Sequence, residues 1–167
     1  MQSKTQIKTI FNCTLERAFK SPMLCDITKI HTGFGLMPRV THCTEDSDWG
    51  KIGGSRKVFM KKNLMFKGGE AALDTVLERI ENEYWKIEIS DFKFFAMGFT
   101  KFQGEWTTKE IDIDRTEVLY AYTLFSKSLL AYPFHWFITK VFWKIYMKHV
   151  LENVRKLAYS EAPYLHK

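Results

Sequence analysis

PFHWFITKVFWKIYMKHVLENVRKLAY, residues 133–159, reads as one long helix that follows every strand-like segment of the chain. Pro133 stands at the first turn, where its missing N–H is no loss. At ~1.5 Å per residue the segment is about 39 Å long, enough to cross a sheet whose strands run about 30 Å. Trp136, Trp143, Met147, Val150, Val154 and Leu157 follow three-four spacing and form one continuous apolar face. A second, opposite apolar face, Phe134, Phe137, Ile138, Val141 and Ile145, occupies only the first half and is flanked by Lys140, Lys144 and Lys148. Either that half is buried on both sides, or one face is a dimer, membrane or ligand-facing surface.

A helix this apolar needs something to cover. Upstream, between Arg39 and Phe125, the period changes to that of strands: Val40–Glu45, Ser55–Lys62, Glu70–Ile80, Tyr84–Phe92, Phe94–Trp106 with a break near Gly104, Trp106–Asp112 and Glu117–Phe125. Turn signals such as Gly53-Gly54, Gly68-Gly69 and Asp114-Arg115 separate them, with no helix between, which argues an antiparallel meander. Alternation assigns the faces. Ala71, Leu73, Thr75, Leu77 and Arg79 share one side against Glu70, Asp74 and Glu78; Trp85, Ile87 and Ile89 oppose Lys86 and Glu88. Val118, Tyr120, Tyr122 and Leu124 share a face of the last strand, whose other side is also fairly apolar. Ahead of this region, Thr5–Cys13 alternates as a first strand. Thr14 caps a short helix, LERAFK, and Ser21-Pro22 starts a second one through Leu24, Ile27 and Ile30.

The fold class expected is therefore α+β: one domain over residues 1–167, with a curved antiparallel sheet of about seven strands wrapped around the C-terminal helix and two short helices after the first strand. At 167 residues a core forms without staples. The net charge of +6 is spread along the chain without a nucleic-acid motif, so a nucleic-acid partner is not expected. Cys13, Cys25 and Cys43 make an odd count without CxxC spacing, which points to a reducing compartment, the cytoplasm. The five histidines lack metal-ligand spacing, and neither a metal nor another cofactor is expected. No signal-peptide run is present, and the most apolar stretch, Leu129–Met147, is interrupted by Pro133, Lys140 and Lys144, so it does not read as a transmembrane span.

The element order, the early strand leading into Thr14-LERAF, the Gly-rich turn before GSRKVFM, and the closing pair GEWTTKEIDI and TEVLYAYTLF ahead of the long helix resemble the helix-grip superfamily of START domains, birch-pollen-type allergens and polyketide cyclase/dehydrase-like proteins (SRPBCC). That resemblance implies a deep cavity between sheet and helix, used in the superfamily for lipids, sterols, quinones, hormones or polyketides. Some of its members are enzymes and others only bind or carry.

Aromatic residues make up 16% of the chain, enough to line such a cavity as well as pack around it. The candidate ligand-binding residues are Arg56, Arg79, Trp85, Trp106, Tyr120, Tyr122, Trp136 and Trp143. The two guanidinium groups would meet a ligand anion, unless they are solvated or paired with Glu78 or Glu81. Indole N–H and phenol groups would fix a ligand's polar end, unless the rings simply fill the interior. Catalysis has thinner support. No GxSxG elbow is present, and His42 and Cys43, adjacent in a strand, point to opposite faces. General acid/base work falls to His31, His135, Asp91 or Glu110. Binding or carrying of an apolar small molecule is the first functional expectation, a cyclase, dehydratase or hydrolase using the same cavity the second, and a homodimer or interaction module the third.

Overall fold

A computed structural model describes residues 1–64, 66–93, 98–127 and 132–166. Strand β1 (Gln2–Phe11) is followed by helices α1 (Leu15–Leu24) and α2 (Ile27–Ile30), then by β2 (Val40–Cys43), β3 (Ser55–Met60), β4 (Gly69–Ile80), β5 (Tyr84–Ser90), β6 (Phe99–Asp112) and β7 (Arg115–Ser126). The strands form one seven-stranded open sheet in the order β1-β7-β6-β5-β4-β3-β2, antiparallel throughout. Helix α3 (Tyr132–Phe137), a π-helical segment (Ile138–Trp143) and α4 (Lys144–Tyr159) run on without interruption as the C-terminal helix. The core lies between this helix, α1 and the inner face of the sheet. It is the helix-grip architecture that the element order implied.

The Thr14 cap forms as expected, its hydroxyl accepting from the Arg17 N–H. Ser21-Pro22, in contrast, does not start a new helix: Pro22 lies inside α1, and α2 is capped instead by Asp26. A proline within a helix leaves the carbonyl four residues back without its donor. That carbonyl, on Ala18, accepts from the Trp106 indole at 3.1 Å. Two more indoles do the same along the helix: Trp85 donates to the Phe19 carbonyl and Trp49 to that of Met23, each at 2.9 Å. From the other side, Arg17 of α1 reaches the end of α4, donating to the carbonyls of Leu157 at 2.8 Å and Ala162 at 3.0 Å. These bonds tie α1 to the sheet side through its carbonyls and to the end of α4 through Arg17.

Three expectations change, two of them about faces. In β4 the inner residues are Ala72, Asp74 and Val76, not Leu73, Thr75 and Leu77. Register shifts at both ends of this stretch leave Ala71 and Leu77 as extra residues. Each bulge reverses the alternation, so parity counted from Gly69 misassigns the middle of the strand. Strand β6 is not broken near Gly104 but pairs continuously with β5 and β7 through that residue. Glycine is needed there for space: a Cβ would fall 2.9 Å from Tyr122 Cζ and 3.2 Å from Ile87 Cγ1. The sixth strand starts at Phe99, and the expected start at Phe94 lies outside the described residues.

The third change is in the C-terminal helix. Trp143, Met147, Val150, Val154 and Leu157 are buried as one face, but Trp136 is 48% exposed. In a regular α-helix two positions seven apart share a face. The wider turns of the π segment lag behind that phase, and His135 and Thr139 turn inward while Trp136 turns out.

Gly104→Ala is expected to destabilise the protein by about 1–3 kcal/mol in urea unfolding, because Tyr122 must move off the strand. An unchanged midpoint would contradict the close approach.

Candidate functional site

Between sheet and helix lies an interior cavity of two lobes. The first, of ≈ 50 Å³, is walled by Trp85, Ile87, Trp106 and Tyr120 of the sheet and by Val150 and Val154 of α4. The second, of ≈ 60 Å³, is walled by Val58, Met60, Ala72, Ile89, Phe102 and Trp143. His31 and Tyr122 line both and stand at the junction. Tyr122 takes that position because Gly104, its cross-strand partner, carries no side chain to displace it.

Polar groups gather on the second lobe. His31 Nδ1 lies 2.7 Å from the Tyr146 hydroxyl, which α4 presents, and Asp74 joins the wall from β4. Directly across the strand pair, Arg56 places Nε 3.8 Å from Asp74 Oδ2, too far for a hydrogen bond. The Arg56 guanidinium is stacked 3.6 Å above the Trp49 ring. Arg56 is only 5% exposed, and neither its Nε nor Trp143 Nε1 has a hydrogen-bond partner among the described residues. Arg56 itself opens toward a separate polar cleft of ≈ 530 Å³ bordered by Asp26, His42, Cys43, Asp46 and His166. The ion pair thus stands as a partition between the inner cavity and this outer cleft.

Burial sets the protonation of these groups. It raises Asp74 from 3.8 to about 6, with Arg56 opposing the shift only in part. It lowers His31 from 6.5 to about 4, helped by the positive charge of Arg56. The phenols of Tyr122 and Tyr146 are pushed well above their ordinary value for the same reason and stay neutral donors. Cys43, close to the pair, is raised to about 11 by burial and is not a ready thiolate.

Of the eight residues singled out in the sequence, Trp85, Trp106, Tyr120 and Tyr122 line the first lobe, and Tyr122 and Trp143 the second. The indole N–H groups of Trp85 and Trp106 are engaged by α1, so these two rings offer only their apolar faces. Arg79 pairs with Glu81 at 2.7 Å and donates to the Gly50 carbonyl, lying over Trp85 outside the lobes. Trp136 is on the outer surface and Arg56 is at the partition. Among the acid/base candidates, His31 reaches the cavity, while Asp91 and Glu110 are exposed. Sequence reasoning missed Asp74 and Tyr146. Asp74 was assigned to the outer face by the parity that the bulges reverse, and Tyr146 adjoins Met147 on a helix whose phase the π segment alters.

The antiparallel sheet wrapped on a long C-terminal helix is the helix-grip fold. Solved structures with the same fold include the allergen Ara h 8.0201, at 13% identity and a TM-score of 0.71 over 96% of this chain and 99% of that one. A norcoclaurine synthase from Thalictrum flavum, in complex with a transition-state analogue, superposes at 9% identity with a TM-score of 0.69 over 96% of each chain. An aromatase/cyclase from Streptomyces does so at 9% identity with a TM-score of 0.66, over 95% of this chain and 94% of that one. Similarity at this level is a similarity of fold. No family model matches the sequence, and no curated protein matches it.

His31 and Asp74 carry opposite linkages. The depressed His31 contributes stability above pH 6.5 that is lost as the pH falls through about 4; the raised Asp74 contributes stability below pH 3.8 that is lost as the pH rises through about 6. His31→Gln removes the first and leaves the second. The variant is expected to lose less stability than the parent between pH 6.5 and 4, by about 1–2 kcal/mol in urea titrations at fixed pH. Parallel pH profiles would contradict the buried, neutral His31.

Proposed function

We propose that the chain binds a small, largely apolar molecule bearing one polar group, seated in the two lobes with its polar group in the second, among His31, Tyr122, Asp74 and Trp143. The observation that carries this reading is the unused hydrogen-bonding capacity in an otherwise apolar interior. Trp143 Nε1 has no hydrogen-bond partner among the described residues, and Asp74 lines the second lobe with its Arg56 counter-charge held 3.8 Å away. Buried polar atoms left in that condition cost about 1–3 kcal/mol each, which a ligand carbonyl or hydroxyl recovers. In the closed form each lobe is smaller than the ~150 Å³ that holds benzene. Larger cargo therefore requires the interior to open. The first half of the C-terminal helix, wound in part as a π-helix, is the element suited to move. The three unpaired cysteines fit a reducing compartment such as the cytoplasm.

A second reading, catalysis in the same cavity, is favoured by one observation: Asp74 at about 6 and His31 at about 4 bracket a range in which one group can hold a proton while the other accepts one. Neutral Tyr146 and Tyr122 beside them can donate to a developing oxyanion.

Mass spectrometry of a solvent extract of the freshly purified protein tests the binding reading. A specific apolar compound at near-stoichiometric amount is expected, and it is expected to be reduced severalfold in Ala72→Leu, which fills the second lobe. An extract no different from that of an unrelated protein prepared identically would overturn the reading. For the compound so found, Asp74→Asn separates the two functions: a carrier changes only in affinity, whereas an enzyme keeps the compound bound and no longer converts it.

A further inference from the structure

The outer face of the first half of the C-terminal helix is exposed and has no cover among the described residues. Phe134, Trp136, Phe137, Val141 and Ile145 are all 40% exposed or more. The patch extends beyond the helix. Phe34, itself exposed, packs its ring 5.3 Å from His149, and a Cβ on Gly35 would lie 3.7 Å from Phe142, so the loop after α2 adjoins the helix. Asn63 donates to the Leu36 carbonyl at 2.8 Å and brings the β3–β4 loop, with Leu64 almost fully exposed, to the same end of the molecule.

Charge decides what covers it. Between Glu117 and Glu152 the sequence contains no aspartate or glutamate, and it carries Lys127, Lys140, Lys144 and Lys148. The two adjoining loops are equally free of acid, from Ile27 to Thr44 and from Lys57 to Gly69, and the second adds Lys61, Lys62 and Lys67. A second copy packed on this face would bring lysines against lysines with no carboxylate in any of the three segments to meet them. An apolar, aromatic face rimmed by cations matches a surface that is apolar beneath and anionic on top. Trp136 suits that boundary, an indole with an apolar body and a polar N–H. No helix among the described residues is long and apolar enough to cross a membrane, so the contact is one of lying on the surface.

We propose that this face docks the protein on anionic lipid bilayers, with Trp136, Phe137, Val141 and Ile145 entering the headgroup boundary and Lys144 and Lys148 meeting lipid phosphates and carboxylates. The claim stands independently of what the interior cavity holds.

The full chain is sedimented with vesicles of phosphatidylcholine containing about 30 mol % phosphatidylserine, and with phosphatidylcholine vesicles alone. Binding is expected to the first, at least about tenfold weaker to the second, and weakened by about 0.5 M salt. Trp136 supplies a local signal, because Trp49, Trp85, Trp106 and Trp143 are each 5% exposed or less. Its emission is expected to shift to the blue on vesicles and to be quenched by brominated lipid. The double variants Phe137→Ser/Val141→Ser and Lys144→Glu/Lys148→Glu alter exposed positions; each is expected to lose binding at least about tenfold with an unchanged melting temperature. No association with the anionic vesicles overturns the proposal, as does association that leaves Trp136 unquenched or the variants unaffected. A dimer in sedimentation equilibrium that Phe137→Ser/Val141→Ser returns to monomer would also overturn it, showing a second copy as the cover.

Discussion

Helix α1 is held by three indole N–H groups, those of Trp85 and Trp106 on the sheet and of Trp49 in the β2–β3 loop, donating to the carbonyls of Phe19, Ala18 and Met23. Each bond contributes about 1 kcal/mol net, and each also engages a buried indole donor that would otherwise be unpaired. The arrangement fixes how far apart the layers stand. Trp85 of β5 and Trp106 of β6 bond to α1 from the sheet, and Arg17 of α1 ties the end of the C-terminal helix to the same assembly. Flanking side chains do not fill the gap completely, and the two lobes are what is left.

From this constraint follows a division of labour among the aromatic residues. Trp85 and Trp106 are structural at their nitrogen and apolar toward the cavity. Trp143, carried by the helix, lines the second lobe and its Nε1 has no such partner among the described residues. Tyr122 occupies the junction because Gly104 lies opposite it, and the neighbouring Asp74 and His31 are shifted by the same burial in opposite directions. A polar seam in an apolar interior is costly to keep for packing alone. That cost supports the proposed placement of a ligand's polar group there.

Much of the fold was legible in the residues. Alternation in β5 and β7, the Thr14 cap and the spacing from Trp143 to Leu157 led to the observed elements and to the inner faces they present. Legibility failed where a local irregularity changed the phase of a repeat. The extra residues Ala71 and Leu77 hid Asp74 on the wrong side of β4, and the π segment sent Trp136 outward and turned His135 and Thr139 inward. Pro22 read as a helix start because nothing local tells that a distant indole will take the place of its missing N–H. In each case the information lies in pairing between segments far apart in the chain, which a periodicity within one segment does not contain.

The most direct test of the central claim, an apolar two-lobed interior with a polar seam, is a crystal structure determined under xenon pressure. Xenon occupies small apolar cavities and avoids polar, hydrated ones. Xenon density is predicted in the lobe beside Trp106, Val150 and Val154 and in the lobe beside Ile89 and Phe102, with none in the outer cleft at Asp46 and His166. Lobes closed by side chains and free of xenon would contradict the account.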